Sequence, residues 1–185
     1  MGLPLGNSPT RGYDRPTFVH GLSIGKSGMA QQDVLPYKRS RFSTRLPVDR
    51  LYTPSHFWLV EREPGLWRVG FTKFATRMLG DLVEFGFQSK PGEAVVVGQG
   101  IGWVEGFKAV TDIYCVANGE FTGGNPSLSQ DITLTDTDPY GRGWLYEIRG
   151  NPEPNSFDVR GYTEVLDLTI DKMQEKPDDQ KDCEP

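Results

Sequence analysis

The chain has 185 residues, with 20 Lys+Arg against 25 Asp+Glu, two His and two Cys. That length suits one domain of ordinary size with extensions. No apolar run reaches the roughly 18–20 residues of a membrane span, and Cys115, Cys183, His20 and His56 leave little material for a zinc cluster, a disulfide framework or a catalytic triad.

Charge divides the chain into three parts. Residues 1–50 hold eight basic and three acidic side chains, residues 51–150 eight and twelve, and residues 151–185 four and ten. The first part is rich in Gly, Pro, Ser and Arg and shows no sustained period of 2 or 3.6. It is expected to be a basic, poorly ordered arm. Gly21-Leu22-Ser23-Ile24-Gly25-Lys26-Ser27 imitates a phosphate-binding loop. It has three residues between its glycines where that motif needs four, so nucleotide binding is not expected. Asp14, Asp33 and several prolines break any amphipathic targeting helix, and no apolar leader core is present.

From residue 51 onward the pattern changes to short strands. Phe57-Trp58-Leu59-Val60-Glu61 and Leu66-Trp67-Arg68-Val69-Gly70 flank Glu63-Pro64-Gly65, a hairpin pattern. Thr72 is placed to cap a short helix over Lys73 to Leu79, with Gly80 as its stop. Strands follow over 81–87 and 94–97. Gly100 to Glu105 and Val110 to Val116 form two β-prone arms around a short tip that holds Lys108. Asn118-Gly119 reads as a turn, followed by a strand at 120–122, and 143–148 as a closing strand. Many short strands with frequent turns point to a small sandwich or closed barrel. Tyr162, Val165, Leu166, Thr169, Ile170 and Met173 repeat at three- and four-residue steps. They predict an amphipathic helix from about 158 to 176, packed on the strands and stopped by Pro177. The divisions expected are an arm (1–50), a central domain (51–150), a C-terminal helix (151–177) and an acidic tail (178–185).

At the Lys108 tip the sequence stops being generic. Tyr52-Thr53-Pro54-Ser55-His56-Phe57-Trp58, Val69-Gly70-Phe71-Thr72, Leu79-Gly80-Asp81, Val104-Glu105-Gly106-Phe107-Lys108-Ala109 and Asp138-Pro139-Tyr140-Gly141 occur in order. Together they resemble the H protein of the glycine cleavage system, a lipoyl carrier. The resemblance implies a mainly β fold, the barrel-sandwich hybrid of lipoyl and biotinyl carriers, with short helices and a C-terminal helix. It implies that Lys108 bears lipoate in amide linkage. Glu105 and Gly119 match positions associated with recognition by the lipoate-attaching enzyme. Ser55, Phe57 and Asp112 match the positions that hold the loaded aminomethyl amine.

The implied role is non-enzymatic. The arm carries an aminomethyl group from glycine decarboxylase (P protein) to the aminomethyltransferase (T protein) and is reoxidised by dihydrolipoyl dehydrogenase (L protein). The cofactors do the chemistry and the protein supplies position. A monomer in a bacterial cytoplasm is expected, the mitochondrial matrix being the alternative, with no nucleic-acid or membrane partner. Cys115 is expected to be a buried strand thiol.

Two positions depart from the family. Phe57 stands where the family has a glutamate, which removes a charge-assisted acceptor and leaves a ring able to attract a cation. Gly106-Phe107 stands where the family has Ser-Val. Gly106 is expected to loosen the turn, and Phe107 to expose an aromatic ring beside the arm. Two other readings stay open on these departures: a lipoyl carrier of another pathway, such as sulfur oxidation, and an unmodified interaction module.

Overall fold

The structure is a computed structural model that describes residues 33–175. Residues 1–32 and 176–185 lie outside it. So do the phosphate-loop look-alike, His20, the acidic tail and Cys183.

The fold is mainly β. A six-stranded antiparallel sheet carries β3 (Leu51–Tyr52), β4 (Phe57–Glu63), β5 (Leu66–Phe71), β11 (Tyr146–Pro152), β10 (Ala117–Gly124) and β7 (Glu93–Val95), in that spatial order. A three-stranded sheet carries β6 (Leu82–Phe87), β8 (Gly100–Gly106) and β9 (Val110–Tyr114), with β8 in the middle. Both sheets are open, so a closed barrel is not what forms.

Strand alternation decides which side chains meet between the sheets. Phe57 and Leu59 of β4 join Val69 and Phe71 of β5, Ile148 of β11 and Phe121 of β10. Val104 and Ile113 reach the same core from the three-stranded sheet. Trp58 points the other way. It joins a second core with Tyr52, Phe74, Tyr162, Leu166 and Ile170. The six-stranded sheet is therefore covered on both faces.

The second core is closed by helices and by an element the sequence reading did not anticipate. Thr72 caps α1 (Lys73–Leu79) by accepting from the amide of Ala75, and Gly80 ends it at φ 77°. Asp158 caps α3 (Val159–Gln174) by accepting from Gly161. Tyr162 of α3 stacks on Tyr52, with ring centroids 4.7 Å apart. A short α2 (Leu134–Thr137) and a 3-10 turn (Pro126–Ser129) lead into β11.

The new element is a hairpin of β1 (Val34–Arg39) and β2 (Phe42–Pro47). The poorly ordered arm expected over residues 1–50 therefore does not extend through residues 34–47. Leu35, Tyr37, Phe42 and Leu46 pack into the second core. Tyr37 donates to Asp167 at 2.7 Å, and Arg39 grips Asp171 through two nitrogens. That guanidinium holds the Asp171 carboxyl below its usual range. Alternation was hidden because Arg39 and Thr44 occupy two of the inward positions. Arg50 is also not a free basic group: it is buried, with its guanidinium 4.3 Å from the Trp58 ring centroid.

Asn118-Gly119 is not a turn. Both residues lie inside β10, where Gly119 pairs with Gly150 on one side and Val95 on the other. Cys115-Val116 instead form the link by which the chain passes from β9 in the three-stranded sheet to β10 in the six-stranded one.

Candidate attachment site at the Lys108 hairpin

Lys108 sits in the three-residue turn Phe107-Lys108-Ala109 between β8 and β9. Backbone hydrogen bonds hold this tip on both sides. The amide of Gly106 donates to Ala109 O at 2.9 Å and closes the turn. The amide of Phe107 donates to Asp81 O, and that of Lys108 to Leu79 O, each at 3.0 Å. These carbonyls belong to the end of α1 and the residue before β6. The turn is thus fastened to a helix terminus, whose last carbonyls have no partners within the helix.

The sequence had suggested that Gly106 loosens this turn. The structure corrects that reading. Gly106 is buried, and a Cβ built on it would lie 2.4 Å from Leu79 O. Glycine here permits β8 to pass close against the end of α1. Gly80 is needed for a related reason. Its φ of 77° disfavours a side chain, and a Cβ would meet the Lys108 stem at 3.1 Å.

The Lys108 side chain is exposed. Its Nζ donates to Arg77 O in the last turn of α1, at 3.3 Å. Among the described residues no carboxylate lies within ion-pair distance of it. A solvent-facing primary amine on a protruding, fastened turn fits an amide-linked prosthetic group. Phe107 beside it is 80% exposed, as expected from the sequence.

The other expected site residues separate. Glu105 is exposed on β8, opposite Glu84 and Val110. Gly119 lies in the other sheet, where a Cβ would come within 2.0 Å of Arg149 O. That geometry gives Gly119 a packing role whatever else it does. Ser55 is exposed, with its hydroxyl 3.0 Å from that of Thr53. Asp112 is exposed on β9 and accepts from the Tyr114 hydroxyl at 3.4 Å. Phe57 does not face solvent with them. It is 3% exposed and packs on Phe71, with ring centroids 4.9 Å apart. Its ring is core, so it offers no open face to an ammonium group.

Two features were missed in the sequence. The first is the set of anchoring carbonyls of Arg77, Leu79 and Asp81. The Leu-Gly-Asp segment after a capped helix was their visible signal. The second is a network behind the site. His56 Nδ1 lies 3.0 Å from the Tyr162 hydroxyl, which lies 2.9 Å from Thr72 Oγ1. Burial lowers the His56 pKa to about 4, so the imidazole is neutral and shares one hydrogen bond with the Tyr162 hydroxyl. Cys115 is buried and donates to Ala117 O, and burial raises its thiol pKa. It sits in the link after β9 rather than within a strand.

A model of the glycine cleavage H-protein family matches residues 50–160. The chain belongs to the glycine cleavage H-protein family. A glycine cleavage system H protein of Corynebacterium jeikeium is 41% identical over 124 residues, covering 64% of this chain and 95% of that protein. One of Shewanella frigidimarina is 34% identical over 125 residues, covering 66% and 96%. The crystal structure of a glycine cleavage system H protein from Mycobacterium marinum aligns with a TM-score of 0.60 and 34% identity. It covers 66% of this chain and all of that one. H proteins are lipoyl carriers and not enzymes. The β1–β2 hairpin falls outside the residues that the H-protein family model matches.

Proposed function

We infer that Lys108 bears lipoate and that the protein serves as the aminomethyl carrier of glycine cleavage. The observation that carries this reading is the Lys108 turn itself: an exposed amine on a tip whose Phe107 and Lys108 amides are engaged by neighbouring backbone. Bound lipoate supplies a disulfide that takes up and returns a one-carbon amine group.

This chain's own residues supply position. The turn fixes the root of an arm of roughly 10–14 Å, counted over about ten zigzag bonds. Amide linkage removes the lysine charge, so the arm is neutral and largely apolar. The exposed Phe107, Val110 and Val83 are apolar surface, Phe107 and Val110 flanking the Lys108-Ala109 pair and Val83 on neighbouring β6. In this reading Glu105 presents a carboxylate beside the lysine to the lipoate-attaching enzyme. The partners are the glycine decarboxylase, the aminomethyltransferase and dihydrolipoyl dehydrogenase. Among the described residues no helix is long and apolar enough to cross a membrane. The bacterial relatives favour a bacterial cytoplasm.

The buried Phe57 is the observation that keeps a second reading in play, a lipoyl carrier of another pathway, because the family's acidic group is missing from β4. Glycine–bicarbonate exchange separates the two. Lipoylated protein is mixed with glycine decarboxylase from the same organism. Exchange that depends on the lipoylated form supports glycine cleavage. A fully lipoylated protein that supports no exchange assigns it to another pathway.

A further inference from the structure

The three-stranded sheet that carries Lys108 is open along β6, which pairs with β8 alone. Gln88, just past the end of β6, donates to Ile101 O at 2.8 Å, and this sets the phase of the ladder. Glu84 and Gly86 therefore turn their backbone groups to β8, while Phe85 and Phe87 turn theirs to the open side. Among the described residues neither makes a backbone hydrogen bond there. β6 also has no Pro or Lys, the residues that commonly blunt such an edge.

A groove of about 510 Å³ runs along this edge. β6 lines it from Val83 to Phe87, together with Leu128 and Ile132 of the 3-10 turn and the loop after it. The volume lies within the roughly 300–1,000 Å³ of ligand pockets. Phe85 and Phe87 share one face of β6 and pack on the first core, to which Leu128 belongs. A strand added beside β6 would set its inward side chains on these groups.

The outward face asks for cations. Glu84 and Glu105 are both exposed and stand directly opposite each other on β6 and β8. Like charges so placed repel. Among the described residues no cation lies within ion-pair distance of either, and Lys108 Nζ turns instead to Arg77 O. Two residues along the same face, Gly86 stands opposite Trp103. A Cβ built on Gly86 would lie 2.9 Å from the indole Nε1, so the ring lies across bare backbone toward the open edge. An added residue opposite Glu84 meets an uncompensated carboxylate, and one opposite Gly86 meets an aromatic ring. Lys or Arg suits both positions.

We propose that the β6 edge binds an extended segment of a partner protein, one in which Lys or Arg alternates with apolar residues. The segment pairs with Phe85 and Phe87 through its backbone. Its apolar side chains enter the groove, and its cations lie against Glu84 and Trp103. Leu82, at the start of β6, pairs with Gly106, the residue before Phe107-Lys108. A partner held along β6 is thus anchored at the root of the attachment turn.

The probe is an acetylated and amidated hexapeptide, Lys-Ile-Arg-Ile-Lys-Ile, added to the full chain labelled with nitrogen-15. Amide hydrogen exchange read by NMR should be slow at Glu84 and Gly86 and fast at Phe85 and Phe87 in the free protein. The peptide should slow Phe85 and Phe87 and move the Trp103 indole signal. Glu84→Gln should weaken its binding about twofold to fivefold. A peptide of the same composition with its cations together, Lys-Lys-Arg-Ile-Ile-Ile, should protect neither amide.

Phe85 and Phe87 amides that stay unprotected at the highest peptide concentration would overturn the proposal. Equal protection by the segregated peptide, or by Glu-Ile-Glu-Ile-Glu-Ile, would do the same. Protection present without peptide and growing with protein concentration would give the edge to a second copy of the chain, and overturn it too. None of these outcomes bears on the lipoylation of Lys108, which is read separately by mass.

Discussion

The amide of Lys108 donates to the carbonyl of Leu79 across 3.0 Å. The candidate attachment residue is thereby tied to the end of α1, and α1 to the second core through Phe74. Gly106 makes this approach possible. Gly106→Ser places the family's usual residue where a Cβ would sit 2.4 Å from Leu79 O. The expected cost is about 1–3 kcal/mol of stability, the usual range for overpacking. Urea unfolding should show a lower midpoint at unchanged slope. An unchanged midpoint would mean that β8 can move away from α1 without loss.

Gly119 separates packing from recognition. A side chain there would collide with Arg149 O and Gly150 of β11. Gly119→Ala should lower stability by about 1–3 kcal/mol for the same steric reason. If lipoylation of the folded variant proceeds at the wild-type rate, Gly119 acts only through packing. A stable variant that is not lipoylated would instead give it a direct part in recognition.

His56 predicts a pH dependence. Its folded pKa is lowered to about 4 by burial, against an unperturbed value of about 6.5. Between these values the unfolded chain takes up a proton and the folded chain does not. The stabilisation is complete above about pH 6.5 and is lost as pH falls toward 4, on the order of 3 kcal/mol in all. His56 also has φ 65°, where Asn is well tolerated. His56→Asn should therefore flatten the stability loss between pH 6.5 and 4.5 relative to wild type. Parallel wild-type and variant profiles would show that the imidazole does not carry the effect.

The β1–β2 hairpin is held to α3 by polar contacts as well as by Leu35, Phe42 and Leu46. Tyr37 and Arg39 reach Asp167 and Asp171 from one face of β1. Tyr37→Phe combined with Arg39→Gln should speed amide exchange in residues 34–47 and leave β4, β5 and β11 unchanged. Unchanged exchange in the hairpin would mean that its apolar contacts hold it unaided.

Much of this architecture was legible where local chemistry and burial agree. Thr72, Gly80 and Asp158 announce the ends of α1 and α3 because caps act within a few residues. The β4–β5 hairpin was visible in its aromatic runs and Pro-Gly turn. The β1–β2 hairpin was hidden because Arg39 occupies a half-buried position by pairing with α3, a contact 132 residues away in sequence. Asn118-Gly119 misled because a strong turn pair can sit in a strand where neighbouring backbones leave no room for a Cβ. At the site, Lys108 was singled out by resemblance alone. The burial of Phe57 and the anchoring of the tip by Leu79 and Asp81 needed the fold, since both depend on what lies opposite.

The most direct test of the account is intact mass after co-expression with a lipoate-attaching enzyme, followed by peptide mapping. The account predicts a single added lipoyl group, located on Lys108, and no addition in Lys108→Arg. An unshifted mass in the folded wild-type protein, or a lipoyl group on another lysine, would contradict it.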